Sequence, residues 1–112
     1  MAASSTSYTQ NLWVGTSTSS VTQSATVGTG LLWVIRNISV ATPGLTFSNA
    51  LGFAIADNAG HVIFGRTGAE CAGSMWYYYE GRFVIAAGGY IQFVPGQASF
   101  QFAITGFVFH VP

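Results

Sequence analysis

No window of eleven or more residues in this chain carries a helical repeat of apolar side chains, and that property confines it to β structure. Short apolar runs take its place, bounded by glycine, proline and Asp-Asn turns. Phe100, Phe102 and Ile104 alternate with Gln101, Ala103 and Thr105, the two-residue period of a strand with one apolar face. Leu31 to Ile35 is apolar at every position, and Ile38 and Val40 continue in alternation, so this strand is expected to be covered on both faces. Further strands are expected over Leu51 to Ala56, His61 to Phe64, Met75 to Tyr79, Arg82 to Ile85 and Tyr90 to Val94. The spacing predicts an all-β chain, an antiparallel β-sandwich or jelly-roll of about eight strands. Gly30, Gly60, Gly88 and Gly106 are the glycines expected at turns and bends. Gly81 is expected to separate two strands. A bulge or bend at Gly106 would return Phe107 and Phe109 to the face of Phe102 and Ile104.

Composition narrows the class further. Only Arg36, Arg66, Arg82, Asp57, Glu70 and Glu80 are charged, so 5% of the chain carries charge where about 25% is usual. Half of the 112 residues are hydrophobic and 15% are aromatic. A surface so poor in charge is suited to a chain packed against other chains. Zero net charge without lysine speaks against nucleic acid as a partner, since such binding draws on a dense basic patch. The run Leu31 to Ile35 is far short of the ~20 apolar residues that span a bilayer. The N-terminus lacks the basic and apolar regions of a secretory signal. A single cysteine, Cys71, provides no internal disulfide.

The charge poverty is uneven. Residues 1–30 hold 14 Ser or Thr and no charge, whereas the remaining residues hold eight Ser or Thr. Residues 1–19 are therefore expected to be an extended Ser/Thr-rich N-terminal arm and residues 20–112 a single sandwich domain. Trp13 within the arm is the anchor expected to dock it on a neighbouring chain.

Catalytic chemistry is poorly provided for, and no catalytic, cofactor-binding or metal-ligating residue is assigned. Glu70 and Glu80 lie near Arg66 and Arg82 in sequence and are expected to form loop or surface ion pairs. Asp57 sits where its side chain bonds a turn backbone. His61, His110, Cys71 and Glu70 show no metal-ligand spacing. No Gly-x-Ser-x-Gly elbow is present. Trp76-Tyr77-Tyr78-Tyr79 is the strongest candidate, because both faces of such a strand are aromatic. Tyrosine and tryptophan offer rigid contact area with a polar tip, which suits a protein interface or a saccharide platform, with a strand buried on both sides as the alternative to either. The expected interface set is Trp13, Trp76, Tyr77, Tyr78, Tyr79 and Tyr90, the last joining the aromatic strand in one contact surface.

Three stretches carry a family resemblance. They are Gly28-Thr29-Gly30 followed by Trp33 to Val40, then Gly81 to Gly88, then Phe102-Ala103-Ile104-Thr105-Gly106-Phe107. Over roughly residues 20–110 the chain resembles small β-sandwich structural proteins of tailed bacteriophages, of the minor tail or head-decoration type. Ala86 and Leu31 depart from that pattern, which often has proline and a basic residue there. The resemblance implies a non-enzymatic virion structural protein without cofactors, assembled in the host cytoplasm. Its partners would be further copies of itself and other capsid or tail proteins. The alternatives are a carbohydrate-binding adhesin using the aromatic strand, and a self-assembling shell protein.

Overall fold

The computed structural model describes residues 10–18, 21–42, 51–71, 75–96 and 99–111. Eight antiparallel strands form two sheets of four: β1 (Gln10–Thr16), β2 (Gln23–Thr26), β3 (Leu31–Ala41), β4 (Leu51–Asp57), β5 (Val62–Thr67), β6 (Trp76–Ala86), β7 (Tyr90–Pro95) and β8 (Gln101–His110). A 3-10 turn, Ala69–Cys71, interrupts them. The first sheet runs β1-β8-β3-β6 and the second β2-β7-β4-β5. Strands 1 and 8, 2 and 7, 3 and 6, and 4 and 5 are therefore all neighbours, as in a long two-stranded ribbon folded at the β4–β5 turn. Rolling that ribbon so that successive pairs alternate between sheets gives a jelly-roll sandwich.

Alternation decides what lies between the sheets. Phe53, Ile55, Ile91 and Phe93 of the second sheet meet Ile35, Ile38, Val40, Phe102 and Ile104 of the first, all essentially inaccessible to solvent. Phe53 is the hub of this layer. Its ring lies 5.4 Å from Phe64, 5.8 Å from Phe100, 6.1 Å from Tyr77 and 6.2 Å from Phe93. Phe93 also stacks on Phe102 at 4.4 Å. Such offset and edge-on pairs add about 0.5–1.5 kcal/mol each beyond area burial.

The turns use local chemistry. Asp57 Oδ1 accepts from the amides of Ala59 and His61, and Gly60 completes the β4–β5 hairpin at φ +84°. Gly88 turns β6 into β7 at φ +84°, with its amide on the Val27 carbonyl. Gly30 has φ +78° just before β3.

Three expectations need correction. Residues 10–16 are not an arm left to dock on a neighbouring chain: they pair with β8 of their own chain from Gln10–Gly106 to Thr16–Gln101, so the domain extends N-terminally past the expected boundary at residue 20. The apolar run Leu12-Trp13-Val14 outweighs its Ser/Thr-rich surroundings. Residues 1–9 lie outside the described residues. Gly81 does not divide two strands, because β6 is continuous through it. The Tyr79 side chain folds over the glycine, its hydroxyl only 2.5 Å from where a Cβ would stand, and covers the missing side chain.

The expected bulge at Gly106 lies instead in its neighbours. β3 carries Arg36 as an extra residue against the Thr105–Gly106 step, and β1 carries Leu12 against Ile104–Thr105. β8 keeps its alternation, so Phe107 and Phe109 point away from the core. Gly106 has its own requirement, since a Cβ there would stand 1.9 Å from the Val34 carbonyl oxygen. Backbone cannot yield as a flexible side chain can. Gly106→Ala is expected to destabilise the fold by about 3 kcal/mol or more. Gly60→Ala, with open space around it but positive φ, should cost about 1–2 kcal/mol. Urea melts of the two variants check this order.

Candidate functional site

Arg66, Glu70, Cys71 and Asp57 are absorbed into local structure. Thr67 and Glu70 form a reciprocal capping box on the 3-10 turn, the Thr67 amide donating to Glu70 Oε1 at 2.8 Å and the Glu70 amide to Thr67 Oγ1 at 3.3 Å. The Tyr77 hydroxyl donates to the Glu70 carbonyl, and burial pushes the phenol upward in pKa. Arg66 does not pair with Glu70 as an ion pair within 4 Å. Its guanidinium lies 4.9 Å from the Phe64 ring centre and 5.0 Å from that of Tyr77, and it donates to the Gly65 carbonyl. These contacts replace the expected Arg–Glu pairing with cation–π packing. Cys71 fills the space left by Gly52 and is fully buried, which pushes its thiol to about 11.

His61 Nδ1 stands 3.3 Å from Asp57 Oδ2, on an exposed hairpin where the histidine side chain is 79% accessible. The other Asp57 oxygen is already committed to two backbone amides. Among the described residues no group of three His, Cys, Asp or Glu is placed to hold a metal ion. Nor, among them, is any helix long and apolar enough to cross a membrane.

What stands out is the outer face of the first sheet. Period 2 turns Tyr77 and Tyr79 inward against the core and leaves Trp76 and Tyr78 outside, 59% and 70% exposed. Their rings are nearly parallel, 15° apart, with centres separated by 6.3 Å. Across the sheet, Tyr78 lies in a row with Ser39, Ala103 and Val14, and Trp76 in a row with Ala41, Gln101 and Thr16. The small central side chains make a floor between the aromatic pair and Val14. Two adjoining depressions result, of about 250 and 340 Å³, sharing Ser39 and Ala103 in their linings. Gln101 and Thr16 rim the first; Asn37, Glu80 and Thr105 rim the second.

Beyond the bulge the same face is apolar again. Val34 faces Phe107 on one side and Val84 on the other, and Leu32 faces Phe109 and Ala86. Val84 is half exposed and Phe109 is 44% exposed. Arg36, Glu80 and Arg82 are exposed in the band between the two apolar ends.

The six expected interface residues are thus separated. Trp13 lies edge-on to Phe102 at 4.7 Å and packs on the core with Tyr77 and Tyr79. Tyr90 belongs to the outer face of the second sheet, because its neighbours Ile91 and Phe93 point inward. It cannot share a surface with Trp76 and Tyr78, which lie on the opposite side of the sandwich. Val14, Val84 and Phe109 complete the exposed face and were not singled out from sequence. The signal for Val84 was its parity with Tyr78, visible once β6 runs through Gly81.

No protein-family model matches the chain, and no curated protein matches it significantly.

Asp57 and Glu70 generate a pH test. The His61 amide holds the Asp57 carboxyl below its ordinary value of 3.8, with Ala59 assisting, and the Thr67 amide holds Glu70 below 4.5. A depressed folded pKa contributes stability that is complete above the ordinary value and lost as pH falls through the lower folded value. The melting temperature is therefore expected to decline on acidification below these ordinary values. The double variant Asp57→Asn/Glu70→Gln should flatten that decline. A second test concerns Cys71, which should resist alkylation at pH 8 in the native protein and react rapidly in denaturant.

Proposed function

We propose that this domain is a non-enzymatic virion structural protein of the minor tail or capsid-decoration type. It would assemble through the outer face of its first sheet. One observation carries the reading: Val14, Trp76, Tyr78, Val84 and Phe109 are exposed together on that face, in a chain whose 6080 Å² surface has six charged side chains. Exposed apolar groups gathered on one face, here at the two ends of a polar band, are the kind of surface that marks an interaction site. The sequence resemblance to phage sandwich proteins supplies the virion setting. The jelly-roll architecture is in keeping with it, since viral capsid domains use that architecture, but lectin domains do as well and fold alone decides neither. Burial of apolar surface at about 25 cal/mol per Å² would drive association, and repetition on a symmetric particle would offset the lost freedom of each subunit.

The trough favours a second reading, a carbohydrate-binding adhesin. Its aromatic wall stands beside Ser39, Asn37, Gln101 and Thr105, groups able to hydrogen-bond sugar hydroxyls. Saturable quenching of tryptophan fluorescence by oligosaccharides, lost in Trp76→Ala and without change in solution mass, would select that reading over assembly.

The test of the first reading is the mass of the purified chain in solution together with its binding to isolated capsids or tails. Self-association that persists in 1 M salt is expected, because burial of apolar surface rather than charge supplies most of it. Trp76→Ala and Tyr78→Ala should each weaken it by about 1–2 kcal/mol while leaving the melting temperature nearly unchanged. A stable monomer binding neither particle would overturn the proposal.

A further inference from the structure

We propose that two copies of this chain pair edge to edge along β6, antiparallel about a two-fold axis at Gly81. The four-stranded first sheet would thereby continue into one of eight strands. This rests on the self-association reading above and specifies its geometry.

β6 borders the first sheet, and among the described strands it has a neighbour on its β3 side alone. Its 11 residues include no proline and no lysine, two of the devices that blunt an open edge, although β6 holds one residue more than β3 between Glu80 and Phe83. Trp76, Tyr78 and Val84, three strongly exposed apolar side chains, all lie on this strand. An open edge of this length offers its free amides and carbonyls to another strand.

The strand is also complementary to itself. In a two-fold antiparallel pair each residue faces the one equally far from the axis in the second copy. With Gly81 on the axis, Glu80 faces Arg82 of the second copy and Arg82 faces its Glu80. On the same face Tyr78 meets Val84 and Trp76 meets Ala86. On the inner face Tyr79 meets Phe83 and Tyr77 meets Ile85. Moving the axis to Glu80 or Arg82 sets like charges opposite each other. Moving it to Tyr79 or Phe83 sets both charges against apolar side chains. Within the chain, neither Glu80 nor Arg82 makes an ion pair within 4 Å among the described residues, where His61–Asp57 is such a pair. The second copy supplies the partner that each lacks.

Charge exchange tests this directly by sedimentation of the full chain at low salt. Glu80→Arg and Arg82→Glu each place two like-charge contacts across the axis. Each should weaken self-association on the order of tenfold. An equimolar mixture of the two variants restores opposite charges at both contacts, and so does the double variant. Both should recover wild-type association, which also excludes misfolding as the cause of the loss. If the wild-type chain associates but neither variant weakens it, or the mixture stays weak, the β6 register is overturned while the outer-face reading stands. A wild-type chain that stays monomeric at high concentration overturns the β6 pairing, and the proposed function falls with it only if that monomer also binds neither capsids nor tails.

Discussion

The aromatic layer around Phe53 is the contact on which the remaining geometry depends. Its ring reaches Phe64 and Phe93 within its own sheet and Tyr77 from the opposite one, with Phe100 beside them. Once Tyr77 is drawn into this layer, the two-residue period leaves Trp76 and Tyr78 no place but the outside. The Phe93–Phe102 stack acts in the same way on β8, turning Ala103 outward to become part of the trough floor. A strand aromatic on both faces has more apolar surface than one core can bury. The exposed face is the remainder.

The scarcity of charge acquires a spatial meaning. Asp57 ties the β4–β5 hairpin, Glu70 caps the 3-10 turn, and Arg66 lies over two aromatic rings. These three stabilise local structure. Arg36, Glu80 and Arg82 remain, and all three are exposed at the level where β3 and β6 fall out of simple register. They form a polar waist across an otherwise apolar face, with Trp76 and Tyr78 on one side and Val84 and Phe109 on the other. A composition that is merely poor in charge could have scattered six groups anywhere; here half of them mark one band.

Much of this was legible in local pattern and the rest was not, for identifiable reasons. The strands over Leu31–Ala41, Tyr90–Pro95 and Gln101–His110 follow from apolar period and flanking turns alone. Period also separates Trp76 and Tyr78 from Tyr77 and Tyr79, but it does not say which pair is buried, since that depends on Phe53 in another sheet. Gly81 reads as a break because a linear pattern contains no trace of the Tyr79 ring lying over it. The parity change at Gly106 was visible, yet its cause sits in Arg36 and Leu12 on the neighbouring strands. The separation of Tyr90 from the aromatic strand is a matter of topology: β6 and β7 are consecutive but belong to different sheets.

An open sandwich always leaves sheet edges, and here the edges are unequal. β2 is four residues long, β5 six, and β1 seven with a bulge beside Leu12; β6 has 11. Short strands are poor templates for another chain, whereas a long edge offers more free backbone groups. The same strand carries the aromatic pair on its outer face. Pairing along β6 would set the outer faces of two copies side by side on one continuous sheet, with both troughs facing the same way. The edge would then join two copies, and the doubled apolar face would remain for further copies or for other proteins of the particle.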